Sequence, residues 1–245
     1  MKLRLRIPVL LACILSISCG VDEYYYLPQV PEINIRIQSL WEAEIRIPPI
    51  PAEFYYGAGY TIFYRIYTSD LLVSTITTYN DMRNISDPLA SDYSSLYNVT
   101  DPTNTTTVPT LSTFTDRSYF EIGFEGADVK SKLSKDGGTL RISFPAAAVG
   151  VPVANINGEQ FYLIRSSKLI TPVPSDHLYF SNTPELRDRA NANSNANADV
   201  AVSTSSSRFT YVSMYIAAIG TNQTNFNQIF SKPTHISVFL LPDKN

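Results

Sequence analysis

The residue with the most distinctive chemistry is Cys19, and its setting matters as much as its type. Lys2, Arg4 and Arg6 lead into an apolar run over residues 7–17, Ser18 follows, and the cysteine comes next. A thiolate attacks well at moderate pH, which suits the sulfur to forming a thioether with a diacylglyceryl donor. A basic start, a short apolar stretch and a small residue before the cut are the marks of a secretory leader, here residues 1–18. The apolar run falls short of the roughly 20 residues that a membrane-crossing helix needs. Cleavage before Cys19 frees its α-amine for a further acyl chain, and two chains suffice for stable anchoring. Ser16 and Ser18 also fit the small-x-small rule of an ordinary signal peptidase, which would leave Cys19 a bare N-terminal thiol. Cys13, the other cysteine, lies in the leader, so the processed chain has no disulfide.

Other chemistry is sparse. His177 and His235 are the two histidines, both in strand-like context. A metal site needs clustered imidazole, thiolate or carboxylate groups, so no metal or other cofactor is expected. No G-x-S-x-G sequence marks a serine hydrolase. Glu121, Glu125 and Asp128 are near one another in sequence. On a strand, Glu121 and Glu125 share a face about 13 Å apart at about 3.3 Å per residue. Glycosidases hold their carboxylates about 5–9.5 Å apart, so these read as surface charge and no catalytic residue is assigned. Gly57 and Gly59 form a turn and no phosphate cradle, because no helical pattern follows them. Among the 16 tyrosines, Tyr55, Tyr56, Tyr93 and Tyr97 stand in loop-like sequence. Exposed tyrosines anchor glycans and proteins, which makes these four the candidate ligand-binding residues. Most tyrosines of a β protein instead pack inside and find a hydrogen bond for the hydroxyl.

The elements that would position these residues read as β. The chain has 245 residues with 16 tyrosines, 12 phenylalanines and 16 prolines against 10 glycines, a balance that favours strands joined by irregular loops. Removing the leader takes away three basic residues and no acid, so the net charge goes from −3 to −6. A nucleic-acid binder would carry a basic stripe, and none is expected here. Residues 19–31 read as an extended tether, with Tyr24, Tyr25 and Tyr26 followed by Pro28 and Pro31. The folded part then spans residues 32–245.

Ile33, Ile35 and Ile37 alternate with polar residues, the period of a half-buried strand. Further strands are expected at residues 44–47, 60–68, 71–77, 119–124, 139–144, 160–166, 177–180, 209–219 and 235–241. Asp136-Gly137 and Asn157-Gly158 are hairpin turns. Both faces of 209–219 are apolar, as in a central strand. Residues 81–118 are rich in Asp, Asn, Ser, Thr and Pro and read as a polar insertion. Thr183 and Pro184 suit the start of a short helix, and the Asn/Ala-rich tract 191–199 reads as a surface loop or frayed helix end.

Two pairs of segments resemble a fibronectin type III domain. Residues 44–48 and 59–67 are similar to that family's strands B and C, and residues 211–220 and 231–234 to its strands F and G. The resemblance implies an all-β, Ig/fibronectin III-like sandwich, with a large inserted β/loop region between the C-like and F-like pieces. The Cys19-Gly20 start, the Tyr24-Tyr25-Tyr26-Leu27-Pro28 stretch and the ending from Tyr211 to Thr234 resemble an uncharacterised family of treponemal-type spirochaete lipoproteins. Membership implies the cell envelope as location, on a periplasmic or surface face.

The sequence therefore points to a lipid-anchored envelope protein acting as a non-catalytic binding or scaffolding module. Its partners would be the membrane, through the N-terminal lipid, and a glycan or protein ligand. The alternatives are a secreted β-rich enzyme acting on glycans, or a purely structural envelope lipoprotein.

Overall fold

The computed structural model describes residues 27–52, 57–69, 110–126, 129–130, 132–145, 152–165, 180, 199–201, 209–222 and 225–241. They form an all-β body, the class expected. The strands are β1 (Ile35–Ser39), β2 (Glu42–Ile47), β3 (Gly57–Ser69), β4 (Phe120–Glu125), β5 (Val129–Lys130), β6 (Lys132–Leu133), β7 (Gly138–Ser143), β8 (Val153–Ile156), β9 (Glu159–Arg165), β10 (Val200–Ala201), β11 (Phe209–Thr221), β12 (Gln228–Phe230) and β13 (Thr234–Leu240). One short helix, α1 (Leu111–Thr115), precedes β4.

The strands hydrogen-bond in the order β1-β2-β7-β8-β9-β4-β3-β11-β12, with β13 also on β11. β4 turns this into one curled sheet. Its first residues, Phe120 and Glu121, pair with Tyr64 and Phe63 of β3, while its residues from Ile122 to Glu125 pair with β9. The two ends of the sheet meet where the Leu240 N–H donates to the Leu40 carbonyl at 3.0 Å.

Period-2 alternation sends one side of each strand inward. Ile45 and Ile47 of β2, Tyr60, Ile62, Tyr64 and Ile66 of β3, Leu140 and Ile142 of β7, and Val212, Met214 and Ile216 of β11 share one core. β3 and β11 are covered on the other side too, where aromatic and apolar residues stand among polar ones such as Thr61 and Ser213. There Phe63, Tyr215, Ala217 and Ile219 pack with Phe114 of α1, Tyr119 and Phe230. The Phe63 and Phe114 rings stack with centroids 3.7 Å apart and planes within 3°.

Gly59 is fixed by its neighbours. Its φ is +139°, and a Cβ there would lie 2.0 Å from the Leu133 carbonyl oxygen. The Asn157-Gly158 turn has positive φ at both residues, 53° and 94°. That is the twist a two-residue hairpin requires, and it joins β8 to β9 in register, with Ile156 opposite Glu159.

Several sequence expectations differ from this arrangement. Ile33 is not on a strand; it lies in a 3-10 turn (Glu32–Asn34) and is 92% exposed. Ile37 is also exposed. On the apolar face of β1, Ile35 reaches the core while Ile37 does not, so alternation separated the faces without saying how far along the strand the cover extends. Residues 111–115, read as part of the polar insertion, are α1. Packing of Phe114 forms this helix where Ser and Thr propensity would not. Of the segment read as a tether, residues 27–31 lie against the body. Leu27 and Val30 are buried in the core, Gln29 Nε2 donates to the Pro233 carbonyl, and Thr234 Oγ1 donates to the Val30 carbonyl at 2.5 Å. The expected strands at 71–77 and 177–179, the helix near Thr183 and the insertion through residue 109 lie outside the described residues.

Candidate functional site

Cys19, Tyr55, Tyr56, Tyr93 and Tyr97 lie outside the described residues, as do His177 and Asp128. The described residues place other chemistry together, and the densest group is internal. Arg165 ends β9, and Asp199 immediately precedes β10, which lies parallel to β3 with Val200 opposite Ile66. Arg165 Nε donates to Asp199 Oδ2 at 2.8 Å and Nη2 donates to Oδ1 at 2.5 Å. Tyr64 adds its hydroxyl proton to Asp199 Oδ2 at 2.8 Å. The Asp199 carbonyl also accepts the Ile66 N–H at 2.8 Å. Both charged side chains are buried, at 4% and 0% exposure.

Planar guanidinium matched to a carboxylate is the strongest ion-pair geometry. Burial alone would lower the Arg165 pKa, but the Asp199 charge and its hydrogen bond, with Tyr64 beside them, outweigh that and hold it above its ordinary value. The group is thus a fixed internal charge pair that ties the chain returning at Asp199 to the two layers carrying β9 and β3. Asp199 had read as the end of a solvated Asn/Ala-rich tract. The one sequence signal for its burial was Arg165, a charge closing a strand whose other inward residues, Phe161 and Leu163, are apolar.

The carboxylates considered for glycan hydrolysis sit on β4. Glu121 is opposite Phe63 of β3, and Glu125 is opposite Tyr162 of β9, on the far side of the strand's transfer between layers. Thr61 Oγ1 donates to Glu121 Oε1 at 3.4 Å. Burial raises the Glu121 pKa above the ordinary carboxylate value, opposed by the Thr61 hydrogen bond and the Lys132 charge.

His235 faces Tyr215 across the β11–β13 ladder, with ring centroids 4.9 Å apart, and its Nε2 lies 3.5 Å from Ser213 Oγ. Ser213 is fully buried, so this Ser–His contact has no access for a substrate carbonyl. Burial pushes the His235 pKa down to about 4 from 6.5. A base held neutral in the native state contributes stability above its unfolded pKa and loses it as pH falls through the window from 6.5 to 4. Because His235 is only half-buried, the expected loss is about 2 kcal/mol across that window. Urea unfolding of wild type and His235→Gln between pH 7.5 and 4 checks this: the variant's stability should fall less over the acid limb.

The described tyrosines are mostly structural. Tyr60 donates to the Pro48 carbonyl at 2.8 Å, and burial raises its pKa to about 12. The Tyr67 and Tyr119 hydroxyls are hydrogen-bonded at 2.9 Å. Tyr162 on β9 is the exposed tyrosine among the described residues. Among the described residues no group of three or more His, Cys, Asp or Glu could hold a metal ion, and no helix is long and apolar enough to cross a membrane. No protein-family model matches this chain, and no curated protein or solved structure is similar to it.

Proposed function

We propose that this chain is a lipid-anchored cell-envelope protein whose β body serves as a non-catalytic binding or scaffolding module. The observation that carries the reading is Cys19 itself, placed after Lys2, Arg4, Arg6, the apolar run 7–17 and Ser18. The packed body supports it. Its first described residues follow the cysteine by eight positions in sequence and are bonded to Pro233 and Thr234 through Gln29 and Val30. The Arg165–Asp199 pair faces inward and holds strands together, which suits a rigid platform. Pairing of β3 with β11 and of β11 with β13 supports an Ig/fibronectin-like reading, as does pairing of β1 with β2 and β2 with β7. The envelope location also follows the resemblance to treponemal-type lipoproteins.

Membrane fractionation of the full chain tests the anchor. The native protein should sediment with membranes and move to the detergent phase, and Cys19→Ser should be released into the soluble fraction by more than about tenfold. Recognition is tested separately on glycan and matrix-protein arrays. Saturable binding should appear and be lost when Tyr55, Tyr56, Tyr93 and Tyr97 are replaced, because loops on a rigid sheet carry such contacts. A blank array together with hydrolysis of a polysaccharide would overturn the binding-module reading.

A further inference from the structure

The β11–β12 hairpin ends in an exposed phenylalanine whose backbone is held in an unusual conformation. Phe226 is 80% exposed with φ at 58°, a left-handed value that a bulky side chain rarely adopts. The turn is tied by backbone bonds: the Phe226 N–H donates to the Asn222 carbonyl and the Asn222 N–H to the Asn227 carbonyl, both at 2.8 Å. The Asn227 N–H donates to Asn225 Oδ1 at 3.0 Å. Asparagine tolerates positive φ better than phenylalanine, and Asn225 and Asn227 flank this position. An aromatic ring is therefore presented to solvent where a neighbouring residue type would suit the turn better.

The direction of the chain says what this end of the body faces. β12 and β13 lie along the same edge of β11, Phe230 opposite Ile219 and Thr234 opposite Ile216, so they continue one another toward the hairpin tip. The N-terminal stretch runs parallel to β13, from Val30 at Thr234 to Leu40 at Leu240. Traced backward from Val30, the chain heads for the tip end of the sheet. Eight residue steps separate Leu27 from Cys19, a reach of at most about 26–29 Å. Gln228, two residues after Phe226, pairs with Thr221, five residues past Ile216, so the tip lies about 17 Å along the edge from Thr234.

We propose that the hairpin tip carrying Phe226 is a second membrane contact, inserting its ring at the lipid interface beside the anchor at Cys19. This rests on the lipid-anchored reading above. A bilayer fits the tip better than a protein partner does. Among the described residues of the turn, Asn222, Asn225 and Asn227 with Gln228 beside them, Phe226 is the exposed ring, and one ring offers a wedge for a bilayer and far less area than a protein interface buries. A ring too weak to hold a free protein suffices once the anchor has made the encounter intramolecular, favouring the docked over the undocked orientation by about tenfold or more.

The test uses the mature lipidated chain in phosphatidylethanolamine–phosphatidylglycerol vesicles containing doxyl-labelled lipid. A fluorophore is placed at Gln228→Cys beside the tip, and in a second protein at Gln38→Cys, exposed at the opposite end of the sheet. Lipidation blocks Cys19, so each protein carries one free thiol. Quenching at 228 should exceed that at 38 several-fold and fall to the level at 38 when Phe226→Asp is added. Equal quenching at both positions, or no change with Phe226→Asp, in protein that floats with the vesicles overturns the tip contact and leaves the anchor standing. Protein that fails to float overturns the anchor and the tip contact with it.

Discussion

Asp199→Ala should cost the fold about 3–5 kcal/mol, among the largest single-residue losses available in this body. The change strips Arg165 of the carboxylate that takes two of its donated bonds and leaves a guanidinium enclosed at 4% exposure. It also removes the acceptor of the Tyr64 hydroxyl. The penalty is that of an uncompensated buried charge and does not measure the worth of the pair. Removing all three polar groups together should therefore recover most of the loss. The Arg165→Met, Asp199→Leu, Tyr64→Phe triple variant, compared with the single variant by chemical denaturation, is expected to regain more than half of the stability. If the triple variant were as unstable as Asp199→Ala, shape at this position would matter more than charge.

Phe114→Ala should cost about 3–4 kcal/mol, in the range for truncating a buried phenylalanine. The ring is fully buried, stacks on Phe63 at 3.7 Å and meets Phe230 edge-on at 5.4 Å. α1 is only five residues long and has little helical stability of its own. Without Phe114 nothing equivalent holds it over the outer side of β3 and β11. Hydrogen exchange should show the amides of α1 losing protection first, while those of β2 and β7, on the far side of the sheet order, keep theirs. A midpoint unchanged from wild type would contradict the packing described for this side.

The strand at 209–219 was legible as central in the sequence, because alternation reports which side chains share a side and both of its partly apolar sides are covered. The hairpin at Asn157-Gly158 was legible because its turn demands special φ, whereas Asp136-Gly137 turns the chain between strands that pair elsewhere, β6 with β3 and β7 with β2 and β8. β8 was missed because four residues give too little pattern to read. Ile33 and Ile37 show the limit of periodicity: it divides a strand into faces and cannot say whether an edge face finds a neighbour. Asp199 was missed for a different reason. Its partner is Arg165, distant in sequence, and the Asn and Ala residues between them suggest solvent. Nor does the chain sequence announce that Gln29 and Val30 attach to β13, since proline and tyrosine around them suit a tether equally well. Cys19 and the four loop tyrosines are legible in the sequence by residue type and context alone, and the β body is the platform they would act from.

The most direct measurement is the mass of the N-terminal peptide of the protein isolated from its native membrane. Cleavage before Cys19 with a diacylglyceryl thioether on the sulfur, and acylation of the α-amine where it occurs, is the result this account predicts. A peptide beginning at Cys19 with a free thiol, or a chain that retains residues 1–18, would contradict it.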